Sequence, residues 1–188
     1  MTLSQIMMLA LRQLDEDPQD ISEYDDLFRS YANAGYSIAL SDYVRPRSVR
    51  EVSSDANGII YLDSDVRRVV SLTHKEDERD TIFYLNETGD GLKVAQKNAH
   101  FTMICEINAN VLENDADEPY YLPETAHAAL AEYICFRHLS NGNMAKQSRA
   151  QFYQTQFYQT MQRLRPQGFG SVTRFKNLYS ATDIRNVR

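Results

Sequence analysis

The chain has no tryptophan, two cysteines in 188 residues and no long apolar run. A helix that crosses a bilayer needs about 20 consecutive, mostly apolar residues, so a helical membrane span is excluded. Cys105 and Cys135 lie far apart and lack a second pair. That excludes a disulfide framework and a four-ligand zinc site. Residues 1–11 begin like a secretory leader, but no basic residue precedes the apolar positions and no small-residue cleavage site follows. They read as a helix that stays, and an intracellular assembly history fits best. An excess of basic charge is missing too. The formal net charge is −6 and the isoelectric point is near 5.2, which argues against an autonomous DNA binder, whose footprint is usually basic overall. Seven glycines and five prolines are ordinary and exclude nothing.

The 43% apolar and 24% charged residues are those of a folded globular chain. Its length suits one domain with a real core, or a core plus a small insert. Twelve of the twenty aromatic residues are tyrosines. A tyrosine buries a ring while keeping a polar tip, which suits a protein–protein interface as well as a core. Charge is divided unevenly along the chain. Residues 166–188 carry Arg174, Lys176, Arg185 and Arg188 against Asp183, a net +3, so the remainder is −9.

Thr2 and Gln5 form a capping box, and Leu3, Ile6, Met7, Ala10, Leu11 and Leu14 follow at helical spacing. The acidic stretch around Pro18 breaks that helix. Ser22 then caps a second one, with Tyr24, Leu27, Phe28, Tyr31, Ala34, Ile38 and Ala39 on one face, ending by Arg45 because Pro46 disfavours helical geometry before it. From residue 58 to about 114 the period changes. GIIYL (58–62), VRRVVSLTH (66–74), TIFYL (81–85), GLKVAQ (91–96) and FTMICEINANV (101–111) read as antiparallel strands separated by polar turns. A helix apolar almost all round follows from Pro123, with Glu124 at its positive end, and Asn141-Gly142 stops it. So little polar face requires cover on several sides, in the middle of a bundle or at a subunit boundary. Asn143 caps a last helix carrying Phe152, either Phe157 or Gln156, Met161 and Leu164. Its FYQTQFYQT repeats after five residues, so its aromatic pairs cannot share one stripe. The expected fold is therefore α+β and mainly α: a helical bundle with an inserted small antiparallel sheet and an extended C-terminal tail. The bundle comprises residues 1–45 and 120–165, the β-rich insert 46–119, and the tail 166–188.

Three classes of chemistry come into question. A thiol nucleophile from Cys105 or Cys135 with His100, His127 or His138 as base has the residue types but no local signature that joins them. Cys135 and His138, three apart on a helix, make half a metal site without a second pair. Their plainest reading is a buried thiol beside a helix-end histidine. The segment GDGLK (89–93) is a hairpin turn, lacking the spacing and following helix of a phosphate loop. No active site emerges, and no cofactor or metal is expected. For nucleic acid, Arg45, Arg47 and Arg50, with Arg67-Arg68, can grip phosphates, or else pair carboxylates at an interface or loop surface. The acidic runs 15–26 and 113–118 are most simply solvated faces. Protein assembly explains the charge split better. Phe169, Arg174, Phe175, Lys176, Leu178 and Tyr179 of the tail are the residue types of an interface anchor that orders on docking.

In this order of elements the chain resembles the head-to-tail adaptor, or connector, proteins of tailed bacteriophages. Two N-terminal helices lead to IYLDSDVRRVVSLTH (60–74), similar to that family's "LP-x-D-x-R-x-V" phrase with Leu62-Asp63 in place of Leu-Pro. Strands follow, then YYLPETAHAALAEYICFRHL (120–139), which looks like the family's "LPE" helix, and then a final helix and a tail. The likeness extends over nearly the whole chain. It implies a structural virion protein at the head–tail neck, assembled in the host cytoplasm as a ring, commonly dodecameric, under the portal. Such a ring offers a platform to a tail or stopper protein. The wall would be residues 3–43 with 123–165, and residues 166–188 would reach into the portal. DNA would pass the channel without specific binding, which an acidic body serves because each phosphate contact adds affinity through counterion release. The alternative is a helical DNA-binding or regulatory module using Arg45, Arg47, Arg50 and the basic tail.

Overall fold

A computed structural model describes residues 1–17, 19 and 21–164. The expected tail, with Phe169, Arg174, Phe175, Lys176, Leu178 and Tyr179, lies outside them. The fold is α+β, with four α-helices and two small antiparallel three-stranded sheets among the described residues. Helices α1 (Leu3–Leu14) and α2 (Ile21–Ile38) come first, α2 running on into a π-helical turn at Ala39–Val44. Six strands follow: β1 (Arg47–Ser53), β2 (Ile59–Tyr61), β3 (Val66–His74), β4 (Tyr84–Leu85), β5 (Gly91–Lys93) and β6 (His100–Ile107). Helices α3 (Glu124–Leu139) and α4 (Met144–Leu164) return the chain to the bundle.

Helix α1 forms as its sequence dictates. The Gln5 N–H donates to Thr2 Oγ1 at 3.4 Å and the Thr2 N–H to Gln5 Oε1 at 3.0 Å, closing the capping box. Its buried residues are the six expected ones, Leu3, Ile6, Met7, Ala10, Leu11 and Leu14. Helix α4 begins with the Asn143 side chain accepting from the Lys146 N–H at 3.1 Å. Its aromatic pairs are divided, as the five-residue repeat requires, but Phe152, expected alongside Phe157 and Met161, is exposed, and Ala150, Phe157 and Met161 are the buried residues. Tyr153 lies half-buried and donates its hydroxyl to the Gln13 carbonyl at 2.7 Å.

The all-round apolar helix is α3, and it sits at the centre of the bundle against α1, α2 and α4. Its cover comes from its own chain. Of the two expected settings, the middle of a bundle is the one seen. Residues Ala126, Ala129, Ala131 and Cys135 are small, which lets three helices approach closely, while Leu130, Tyr133, Ile134 and Leu139 fill the gaps.

Helix α2 departs from expectation. Ser22 lies inside the helix, which starts at Ile21, so it is not the cap. The buried stripe is Phe28, Ala32, Gly35 and Tyr36, continuing through Ala39, Leu40 and Tyr43, whereas Leu27 and Ala34 face solvent. Hydrophobic spacing missed this phase because the closest contact is made by a residue with no side chain. A Cβ at Gly35 would lie 2.9 Å from the Tyr133 ring. The π-helical turn then closes with the Arg45 N–H on the Leu40 carbonyl at 2.9 Å, Arg45 itself taking a left-handed φ of 50° before Pro46.

The strands form two sheets, ordered β1-β6-β3 and β2-β5-β4. Phe101, Met103, Cys105 and Ile107 alternate inward along β6, as a period of two demands. With Leu72 they meet Ile60 and Leu92 of the other sheet in one apolar cluster. The turn between β4 and β5 is a hairpin, as read from GDGLK: the Asn86 N–H donates to the Gly91 carbonyl at 2.9 Å, with Gly89 at φ 78°. Strand β1 was not foreseen. Its alternation is hidden because Ser48 and Arg50, not apolar residues, occupy two of its three half-buried positions.

The acidic segment after β6, residues 108–122, joins the two parts. Asn33 donates to the Leu112 carbonyl at 3.0 Å and accepts from the Leu112 N–H at 2.7 Å. Tyr36 donates its hydroxyl to Asn110 Oδ1 and accepts from the Tyr121 N–H, both at 3.2 Å. Arg29 reaches the Glu113 carbonyl at 2.6 Å and the Asp115 carboxylate at 2.8 Å. The carbonyls of Asp115 and Asp117 accept from the N–H groups of Ser4 and Leu3, unpaired donors in the first turn of α1. The run expected as a solvated face is thus a strap, its side chains mostly exposed, held through its backbone and through the Asp115 carboxylate on Arg29.

The Gly35 contact yields a clear expectation. Ala in place of a helical Gly is ordinarily stabilising by about 1 kcal/mol. Gly35→Ala should instead lower unfolding free energy by about 1–2 kcal/mol, since overpacking against the buried Tyr133 outweighs the propensity gain. Urea titration of the two proteins measures the sign.

Candidate functional site

The cysteines and histidines considered for catalysis are dispersed. Cys135 is fully buried between helices, its S–H directed at Gln13 Oε1 (3.3 Å) and the Ala10 carbonyl (3.5 Å), and burial pushes its pKa up to about 12. Such a thiol is a small core residue. His138 packs edge-on against Tyr24 and Phe28 at ring separations of 5.4 and 5.6 Å, and burial holds its pKa below the ordinary histidine value. Cys105 lies in the β core, its thiol also pushed up by burial. His127 accepts at Nδ1 from the Met1 ammonium at 2.8 Å, so its Nε2–H donates to the Leu122 carbonyl at 3.0 Å. His100 is exposed at the start of β6. Among the described residues no three His, Cys, Asp or Glu side chains are grouped as metal ligands.

The arginine cluster is not a single grip. Arg50 and Arg47 project from opposite faces of β1, and Arg45 precedes the strand in the turn. The guanidinium of Arg50 spans two carboxylates of the β2–β3 turn, with Nη1 at 2.7 Å from Asp63 and 2.9 Å from Asp65, and Nη2 at 2.5 Å from Asp65. That hydrogen bonding raises the Arg50 pKa and lowers that of Asp65. Asp63, standing where the resembled phrase has proline, is one jaw of this clamp. Arg47 lies opposite Glu106, which in turn lies opposite Arg68 on β3. Arg67 donates from Nη1 to the Ser41 carbonyl at 2.9 Å, tying β3 to the π-helical turn.

Beside Arg67 and Arg68 the two sheets separate. The Thr81 N–H bonds the Leu72 carbonyl at 2.7 Å and Thr73 bridges Asp80, but beyond that point no backbone hydrogen bond joins β3 to the segment leading into β4. Two register shifts, between Val66 and Arg68 and between Val69 and Ser71, bend β3 away. The gap is a cleft of about 360 Å³ lined by Leu62, Val69, Phe83, Leu85 and Leu92, with Arg67 and Arg68 at its side. Sequence reasoning had β3 but not this feature: TIFYL (81–85), expected as a strand, is one only at Tyr84–Leu85, and bulges leave no compositional mark. Among the described residues the most exposed aromatic is Tyr120, 81% exposed at the end of the acidic strap.

No helix among the described residues is long and apolar enough to cross a membrane. No protein-family model matches the chain, and no curated protein matches it.

Two charged groups give measurable expectations. Arg50→Gln should cost about 1 kcal/mol at neutral pH, at the lower end for charge-assisted bonds because Asp63 and Asp65 are half or more exposed. Asp65 has a folded pKa below its unfolded value, so its contribution is complete above about pH 4 and is lost as pH falls through the folded pKa. The gap between wild type and variant therefore closes in acid, as thermal melts across pH would record. Glu132 runs the other way. One of its oxygens is buried without a partner among the described residues, and burial raises its pKa. Its penalty is absent below the unfolded pKa and develops as pH rises through the folded one. Glu132→Gln should raise the melting temperature by a few degrees at pH 7 and leave it unchanged in acid.

Proposed function

We propose that the chain is a structural virion subunit, a head-to-tail adaptor that assembles as a ring under the portal and presents a platform to a tail or stopper protein. The observation that carries this reading is the order of parts. Helices from both ends of the described chain close one bundle around α3, the β module is inserted between α2 and α3, and the chain leaves α4 towards the basic, aromatic residues 166–188. A subunit of this kind docks by shape and charge. The bundle supplies a rigid wall, and the +3 tail, carrying Phe169, Arg174, Phe175, Lys176, Leu178 and Tyr179, supplies the portal anchor. Weak contacts repeated around a ring, dodecameric by resemblance, add up because each later one is effectively intramolecular. The −9 balance of the remainder keeps passing DNA unbound.

Removal of residues 166–188 should leave the helical and β cores folded by circular dichroism and abolish co-sedimentation with cognate portal rings. Unchanged portal affinity in the truncated protein would refute the anchor. A gel-shift titration in rising salt separates the alternative, since a DNA-binding module must show tight binding that collapses steeply with salt. The Arg50 clamp leaves that reading with fewer free cations than the sequence suggests.

A further inference from the structure

The cleft between the sheets and the tip of the acidic strap are complementary. We infer that Tyr120 of one copy seats in the cleft of a neighbouring copy, with Glu118 beside Arg68. This rests on the ring reading for its setting and adds the contact by which subunits meet.

The cleft has an apolar lining in which Leu92 is buried at the base, Leu62, Val69 and Phe83 are partly exposed and Leu85 is 69% exposed. Its volume of about 360 Å³ admits one aromatic ring with room to spare. Arg68 is exposed and makes no ion pair or hydrogen bond among the described residues, and Arg67 commits Nη1 alone to Ser41. The occupant must therefore combine an apolar anchor with negative charge. Residues 166–188 of the same chain fail on charge, being +3.

The strap meets both conditions. Tyr120 is exposed, and Glu118, also exposed, is two residues away across the buried Pro119. The Tyr120 N–H donates to the Glu118 carbonyl at 2.7 Å, and the Tyr120 ring rests edge-on against Tyr121 at 5.3 Å. The neighbouring Tyr121 N–H is held by Tyr36. An aromatic side chain displayed on a backbone already fixed loses little freedom on docking. Donor and acceptor surfaces differ, so the contact is heterologous. Such contacts propagate and close into a ring when the rotation per step allows.

The test uses full-length chains in which p-benzoylphenylalanine, a photo-reactive residue that keeps the aromatic anchor, replaces Tyr120, or Met144, 83% exposed on another surface, as the control. Each is mixed at high concentration with a tagged second copy and irradiated. The expected result is a cross-link from position 120 to cleft residues of the second copy, mapped by mass spectrometry, in yield well above the control. It should fall several-fold with Arg68→Glu in the cleft protein or Glu118→Arg in the strap protein, and recover when both reversals are present across the pair. Both native thiols are buried, so a Leu85→Cys thiol reports cover of the cleft separately. Yield equal to the control, or indifferent to both reversals, overturns the contact. So does protection of the Leu85→Cys thiol by a synthetic peptide of residues 166–188 without protection by a second copy. The same variants placed on cognate portal rings separate the two ideas. Rings without the cross-link refute the contact and spare the adaptor reading; the cross-link without portal-bound rings does the reverse.

Discussion

The close approach of α2 to α3, with Gly35 against the Tyr133 ring, sets the position of the other parts. Tyr133 in turn packs on Phe157 of α4 at a ring separation of 4.9 Å, so three helices share one point of contact. The residue after Gly35 is Tyr36, and its ring is fully buried while its hydroxyl joins Asn110 to the Tyr121 N–H. The helix spacing thus fixes where the acidic strap must run. From there Asp115 and Asp117 cap the start of α1, and the fourth helix is tied to the same frame. A side chain at position 35 would displace all of these together.

The β module obeys a different constraint. Six strands give two three-stranded sheets, the least width at which a sheet with one apolar face holds. Apolar burial between them is modest, being concentrated on Ile60, Leu72, Leu92, Phe101 and Met103. The Arg50 clamp adds what the small core lacks, because one planar guanidinium fixes the β2–β3 turn against β1 through two carboxylates. The cost of holding an arginine on the inward-leaning face of a strand is limited by its position near the sheet margin, where Asp63 and Asp65 remain in water. Arg50 is thereby committed to its own chain.

Much of this was legible in the sequence where periodicity is carried by side chains. The capping box and all six buried positions of α1, the whole of β3, the hairpin at residues 86–91 and the split of the α4 aromatics follow from pattern alone. The phase of α2 did not, since Ala32 and Gly35 pack by having little to pack, and a hydrophobic count gives them no weight. Strand β1 was masked by Arg50, whose inward position depends on acids 13 and 15 residues away. The cleft depends on two bulges and on the divergence of strands that are paired at one end. Neither has a local signature. The acidic strap was read by charge, yet its role comes largely from backbone groups that charge does not report.

The magnitudes also explain why one such contact would not give a stable pair in dilute solution. An aromatic side chain buries roughly 150–250 Å², worth about 4–6 kcal/mol at ~25 cal/mol per Å². Loss of overall translation and rotation costs at least about 4 kcal/mol and often much more. An exposed Glu118–Arg68 pair adds only about 0–1 kcal/mol. Two free copies joined through Tyr120 therefore sit near balance. Held side by side on a template, the same copies have already lost most of that freedom, and each added anchor is nearly all gain. If the chain assembles as proposed, a contact this sparing would make ring closure conditional on the template that holds the copies side by side.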